Sequence, residues 1–150
     1  MTLIQKSAEV PYTPEQMFEL VNHIEAYPSF LPGCRSSTVL SRTEDEVRAT
    51  LHLAKGGISH SFTTLNRLQP GKMIELRLLE GPFRRLQGYW RFEPIDPKGC
   101  RIYFDVEFVF ANRLLDAALG PLLQGIASTF VDAFCQRAAV VYGLDNVRLS

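Results

Sequence analysis

The stretch that most limits how this chain can fold lies near its end, Asn112 to Gly143, NRLLDAALGPLLQGIASTFVDAFCQRAAVVYG. It shows no alternation of the strand type. Its apolar residues return at helical spacing, at Leu115, Leu119, Leu122, Ile126, Phe130, Phe134, Ala138 and Val141, while Gln124, Ser128, Asp132 and Gln136 step by four along the other side. At roughly 100° per residue this is an amphipathic helix with a broad apolar face. Pro121 suits a first helical turn, so the spacing predicts a main helix from Pro121, preceded by a shorter or kinked helical piece. Gly143 suits the position just past the helix end. One cation, Arg137, falls at the angle of Leu119, Ile126 and Phe130. Either it snorkels from near the helix end, or it fixes a carboxylate or polar ligand group at the mouth of a cavity.

So apolar a helix needs a large partner surface, and the preceding residues supply one as strands. Leu3 to Val10 reads as a first strand. Thr13, Pro14 and Gln16 then form an N-cap, a proline at the first helical position and the third-position partner of a capping box, with Tyr12 and Met17 as the staple around them. Met17, Leu20, Val21 and Ile24 make one stripe, so a short packed helix follows. In IEAYPSFLPGC, Ile24 to Cys34, Pro28 and Pro32 forbid a long helix, yet Tyr27, Phe30 and Leu31 are too apolar for an exposed loop. A short helical turn covering one end of a core or cavity satisfies both facts.

From Ser36 the period becomes two. Turn signals stand at Thr43 to Asp45, Gly56-Gly57, Gln69 to Lys72, Glu80 to Pro82 and Asp96 to Gly99. Between them lie six strands, residues 35–43, 46–55, 58–68, 73–79, 83–94 and 100–110, joined too briefly to be anything but antiparallel neighbours. Val47, Ala49, Leu51 and Leu53 share one face; so do Ile58, His60, Phe62 and Thr64; Leu86, Gly88, Trp90 and Phe92; and Ile102, Phe104, Val106 and Phe108. The opposite faces carry Arg48, Arg67, Glu75, Arg77, Arg85, Arg91, Glu93, Asp105 and Glu107, the mixed-sign set of a solvated sheet back. The predicted fold is α+β, a curved seven-stranded antiparallel sheet wrapped around a long C-terminal helix, with two short helices after the first strand and residues 1–150 as one domain.

A sheet curved around a helix can leave a gap, and Gly88 on a bulky inward face suggests room there. A space lined by Phe62, Trp90, Phe92, Phe104, Phe108 and Phe130 suits a lipid-like or polycyclic ligand; the same rings equally suit a solid core. His60, on an inward-facing position, would hydrogen-bond a ligand oxygen or sit as a satisfied core group.

With 16 basic and 16 acidic residues the net charge is zero. That argues against DNA or general nucleic-acid binding, though it leaves room for a local basic patch. Cys34, Cys100 and Cys135 have no CxxC spacing and read as reduced thiols of a cytoplasmic protein. The opening residues MTLIQKSAEVPYTPEQ lack the apolar core of a signal peptide, and no uninterrupted apolar run reaches the roughly 18 residues of a membrane span. His23, His52 and His60 are not at metal-ligand spacing. No HExxH, GxSxG, phosphate loop or GxGxxG occurs, so the residues favour binding over catalysis, with no cofactor and no metal.

Four segments in order, LVNHIEAYPSFLPGC, KGGISHSFTTLNRL, LLEGPFRRLQGYWRF and FCQRAAVVYG, resemble the coenzyme Q-binding, START-like proteins, a group within the polyketide cyclase/dehydrase superfamily that includes the bacterial ribosome association toxins. The resemblance covers nearly the whole chain and rests most on Tyr27-Pro28-x-Phe30-Leu31-Pro32-x-Cys34, then on Gly81-Pro82-Phe83 with Leu86, Gly88 and Trp90. It implies the helix-grip fold with a cavity between sheet and helix. Phe30, Leu31 and Pro32 would guard one end; Phe83, Trp90, Ile126, Phe130 and Phe134 would stand near the walls; His60 or Arg137 would meet ligand oxygens. Where such proteins carry an acidic residue, this chain has Asn22-His23-Ile24, so no role for that acid is transferred. The implied function is non-enzymatic binding of ubiquinone or a related isoprenoid quinone or lipid, in support of respiration or quinone biosynthesis. Contact with the inner membrane would then be transient and peripheral. The alternatives are a toxin-like protein that binds the large ribosomal subunit and blocks subunit joining, and a polyketide cyclase or dehydrase.

Overall fold

A computed structural model describes residues 2–95 and 97–143. The chain runs as β1 (Thr2–Val10), α1 (Pro14–Asn22), a 3₁₀ helix (Ile24–Ser29), β2 (Cys34–Arg42), β3 (Glu46–Lys55), β4 (Ile58–Gln69), β5 (Met73–Glu80), β6 (Phe83–Pro94), β7 (Cys100–Phe110), α2 (Arg113–Ala127) and α3 (Phe130–Tyr142). The seven strands form one antiparallel sheet in the order β1-β7-β6-β5-β4-β3-β2. Six strands therefore follow one another as a meander, and β1 closes the far side against β7. The strand limits predicted from alternation hold to within one residue. Asp96, the first residue of the last predicted turn, lies outside the described residues.

Local chemistry explains the elements. Thr13 accepts from the Gln16 backbone at 3.1 Å while Gln16 Oε1 accepts from the Thr13 backbone at 2.9 Å, so both halves of the capping box are made. Gly56 and Gly57 turn the β3–β4 hairpin with φ of 61° and 82°, the left-handed pair that a two-residue hairpin of primed type requires. Register shifts between Cys34 and Ser36, between Val39 and Ser41, and between Thr63 and Thr64 break the ladders where the sheet must curve.

The concave face of the sheet holds Val47, Ala49, Ile74, Trp90, Phe92, Ile102, Phe104 and Phe108, all buried, against Leu119, Ile126, Phe134 and Ala138 of the two helices. Arg48, Arg67, Glu75, Arg77 and Arg85 are exposed on the back of the sheet. The segment Arg113–Tyr142 is, by length and composition alone, apolar enough to cross a membrane, which the count of uninterrupted apolar runs did not register. Here its apolar face forms the helix side of the core.

Two expectations change. The terminal helix is not broken at Pro121, which stands inside α2. The break falls at Ser128–Thr129, where the Ser128 hydroxyl donates to the Gly125 carbonyl at 2.9 Å and the Thr129 hydroxyl to the Ile126 carbonyl at 2.7 Å. Hydroxyls that bind their own preceding turn compete with the helical ladder, and two in succession next to Gly125 stop it. Gly143 does end α3, with φ of 88° and its N–H on the Ala139 carbonyl. Gly88, in turn, does not mark room. A Cβ there would come within 2.2 Å of the Asp105 carbonyl oxygen and 2.7 Å of the Val106 Cα, so its glycine lets β6 and β7 approach at their closest pairing.

Candidate functional site

Between sheet and helices lies an almost wholly apolar cavity of about 80 Å³. The 3₁₀ helix closes one end with Ile24 and Tyr27. Strands β3 to β7 form the floor through Ala49, Leu51, Leu53, Phe62, Thr64, Asn66, Leu76, Leu86, Trp90, Phe104, Val106 and Phe108, and the helices roof it with Leu123, Ala127, Phe130 and Phe134. Trp90 stacks on Phe104 with centroids 4.3 Å apart, and Phe134 meets Trp90 edge-on at 5.1 Å. Phe130 lies 5.9 Å from Phe104 across the space between helix and sheet. These rings reach the spacings at which aromatic pairs gain beyond their buried area.

Of the residues singled out from the sequence, Phe62, Trp90, Phe104, Phe108, Phe130 and Phe134 line this cavity together. The others stand elsewhere. Phe92 packs edge-on to Phe18 at 6.0 Å, on the α1 side of the sheet. Ile126 is buried against Gly33, where there is no space even for a Cβ. Phe30 is half-buried behind Tyr27 and Phe134, at 6.1 and 5.2 Å. Leu31 is buried in the same segment, while Pro32 is exposed. Phe83 stacks on Phe110 at 5.0 Å and lines a narrow side recess of about 20 Å³ with Leu53, Phe62, Leu119, Leu122 and Leu123.

His60 borders that recess but is exposed, its ring against its own strand at Ser61. The expectation of an inward, buried histidine fails because the Ile58–His60 end of β4 lies at the open rim of the recess, where both side chains are exposed. Arg137 also stays out of the cavity. Its guanidinium lies 5.1 Å from the Phe30 ring centroid, in a surface hollow shared with Glu19, His23 and Tyr142. Phe30 and Phe134 separate it from the interior.

Thr64 and Asn66 are the polar side chains of the cavity wall beside the Tyr27 phenol, and both are buried. Asn66 was readable as the next step of the Phe62–Thr64 alternation, but an asparagine at a strand's inward position carries no apolar signal to mark it. The Tyr27 hydroxyl donates to the Val21 carbonyl, and burial pushes its phenol well above the ordinary range. Among the described residues the wall thus holds no group that gains or loses a proton near neutral pH.

Burial acts on the thiols in the same way. It pushes Cys34 up to about 11 and Cys100 up to about 12, from an ordinary 9.0. A thiol raised on folding binds its proton more tightly in the native state. Its contribution is complete below pH 9 and is lost as the pH rises toward 11 and 12. Between neutral pH and pH 9 the thiols should leave the melting midpoint unmoved, and above pH 9 it should decline, less steeply in Cys100→Ala than in the parent. An equal decline in both would show that Cys100 does not contribute.

Comparison with known proteins agrees with this architecture. The profile of the family described as polyketide cyclase / dehydrase and lipid transport matches residues 10–135. The ribosome association toxin RatA of Pseudomonas aeruginosa is 49% identical over 142 residues, covering 95% of this chain and 99% of that protein. The mitochondrial coenzyme Q-binding protein coq10 of Schizosaccharomyces pombe is 26% identical over 145 residues, covering 91% and 87%. Among solved structures, the Zhui aromatase/cyclase from Streptomyces sp. R1128 superposes with a TM-score of 0.79 at 18% identity, over 93% of this chain and 95% of that one, a likeness of fold. The chain therefore belongs to the polyketide cyclase / dehydrase and lipid transport family and, within it, to the family of the ribosome association toxins.

Proposed function

We propose that this protein binds a hydrophobic ligand of the isoprenoid quinone class between its sheet and its terminal helices, without transforming it. The observation that carries this reading is the cavity wall, apolar and rich in aromatic rings apart from Thr64 and Asn66, with no side chain among the described residues placed to exchange a proton. The coq10 relative supports the ligand class by its name. At about 80 Å³ the cavity is smaller than the roughly 150 Å³ that admits a benzene ring. Entry therefore requires α2 to swing outward about Ser128–Thr129. Most of α2 is held lightly, with Leu119, Ile126 and Ala127 its buried residues. Burial of an isoprenoid tail then stabilises the open form at about 25 cal/mol per Å² before the costs of association.

Organic extraction of the purified protein followed by mass spectrometry tests this. A neutral isoprenoid lipid in near-stoichiometric amount is expected, and its loss in Phe130→Asp, which places an unpaired charge in the roof. Unchanged lipid content in that variant would rule out this cavity as the binding place.

A second reading is favoured by the 49% identity to a ribosome association toxin. It has the exposed back of the sheet, with Arg48, Arg67 and Arg77, meet the large ribosomal subunit. Co-sedimentation of added protein with that subunit, and a fall in joined ribosomes, is its expected result; the arginine contacts to phosphate make it salt-sensitive, and the acids Glu75 and Glu107 on the same face weaken it.

A further inference from the structure

The cavity wall has one place where its chemistry is directional. Thr64 and Asn66 stand two residues apart on the inward face of β4, both buried. The Thr64 hydroxyl donates to Asn66 Oδ1 at 2.8 Å. That bond occupies the amide oxygen and sets which way the amide is turned. Asn66 Nδ2 is left with no protein acceptor among the described residues, facing a space walled by hydrocarbon. On so apolar a wall the amide N–H has no protein oxygen to bond, and a ligand oxygen placed there supplies one.

Position along the strand gives the site a direction. From Asn66 the same face runs outward through Thr64 and Phe62 to His60, which is exposed. Six strand residues span about 20 Å. The polar pair lies at the inner end, and the outer end meets the recess bordered by His60 and Leu122. Among the described residues no cation lines the cavity, so a carboxylate at the inner end would be an uncompensated charge there, whereas a neutral carbonyl only accepts the amide hydrogen.

Resting on the hydrophobic-ligand reading above, we propose that Asn66, oriented by Thr64, is the group that sets specificity. Its amide donates to a carbonyl oxygen at one end of an otherwise apolar, uncharged ligand, which enters that end first and leaves its tail toward His60 and Leu122. The cavity then discriminates against a fatty acid of equal length and against a plain hydrocarbon.

The test uses the full chain and three probes that share one tail, 2-decyl-1,4-benzoquinone, decylbenzene and undecanoate, with binding measured by ultrafiltration and mass spectrometry from the same mild detergent. The parent should hold the quinone about tenfold more tightly than decylbenzene, the worth of one buried hydrogen bond. Asn66→Leu should weaken the quinone by about that factor and leave decylbenzene unchanged, and Thr64→Val should fall between. Retained decylbenzene shows that the variant's cavity is intact; if Asn66→Leu loses it, Asn66→Ser, which is smaller than Asn and too short to reach the same oxygen, takes its place in the same comparison. Equal quinone affinity in parent and variant, with decylbenzene bound by both, would overturn the role of Asn66 and leave the cavity reading standing. Binding of neither apolar probe to the parent would overturn both, and a preference for undecanoate would overturn the neutral-carbonyl assignment.

Discussion

Replacing Gly88 by alanine should destabilise the protein by about 3 kcal/mol, at the upper end of overpacking costs. In most strands the same change is favourable or neutral, because alanine restricts the unfolded chain more than glycine does. Here the added methyl has no place to go, with the Asp105 carbonyl oxygen at 2.2 Å and the Val106 Cα at 2.7 Å, both backbone atoms. Relief requires β6 and β7 to separate at the centre of their ladder, where Gly88 pairs with Val106 and Trp90 with Phe104. Gly125 is the internal control. A Cβ there meets nothing within 4 Å, and it sits in α2, so Gly125→Ala should stabilise by about 0.5–1 kcal/mol through helix propensity. Urea denaturation of the two variants should move in opposite directions. A Gly88→Ala midpoint at or above that of the parent would show that the ladder yields more easily than its geometry implies.

Phe134→Ala should cost about 3–5 kcal/mol, the range for deleting a buried aromatic side chain. Phe134 is 1% exposed and is the ring on which three others converge, Tyr27 at 5.3 Å, Phe30 at 5.2 Å and Trp90 at 5.1 Å. These rings come from the 3₁₀ segment, the loop after it, and β6, so no single element can collapse to fill the space. For a chain of this size the melting midpoint should fall by roughly 6–20 °C. Because Phe134 lines the cavity, truncation also enlarges it, and an added apolar ligand should restore part of the loss. Val140→Ala, in the same helix at 74% exposure, should change the midpoint hardly at all. A loss in Phe134→Ala as small as that would mean the four rings do not act as one packed unit.

Much of this architecture is legible because each signal is local and redundant. Alternation locates the strands, the glycine pair locates a hairpin, and Thr13 with Gln16 starts α1 through bonds among four consecutive residues. The errors share a different cause. Alternation tells which face a residue is on, but not how far the roof over that face extends, so His60 shares the face of Phe62 and yet lies in the open. Arg137 has the angle of Phe130, but two aromatic rings separate it from the cavity. Pro121 stands inside α2 without breaking it, whereas Ser128 and Thr129, which spacing marks only as polar positions, stop the helix through their back-bonding hydroxyls. Gly88 reads as missing volume, whereas the missing volume is taken by a neighbouring strand that no local window contains. Asn66 is the converse case, a polar residue whose importance comes only from the hydrocarbon around it.

The strand order has a consequence for how the chain is made. Five of the six ladders join strands consecutive in sequence, so β2 to β7 can pair as fast as they emerge. β1 has a different timetable. Among the described residues its sole partner is β7, with Thr2 opposite Phe108 and Val10 opposite Cys100, so it must wait for about a hundred further residues, roughly 5–20 s of synthesis. Through that interval it is an unpaired edge with both rows of backbone groups open to other chains. Gln5, Lys6, Ser7 and Glu9 make it a polar edge, the composition that discourages pairing with a stranger, and Ile4 and Val10 become buried only when the last strand arrives.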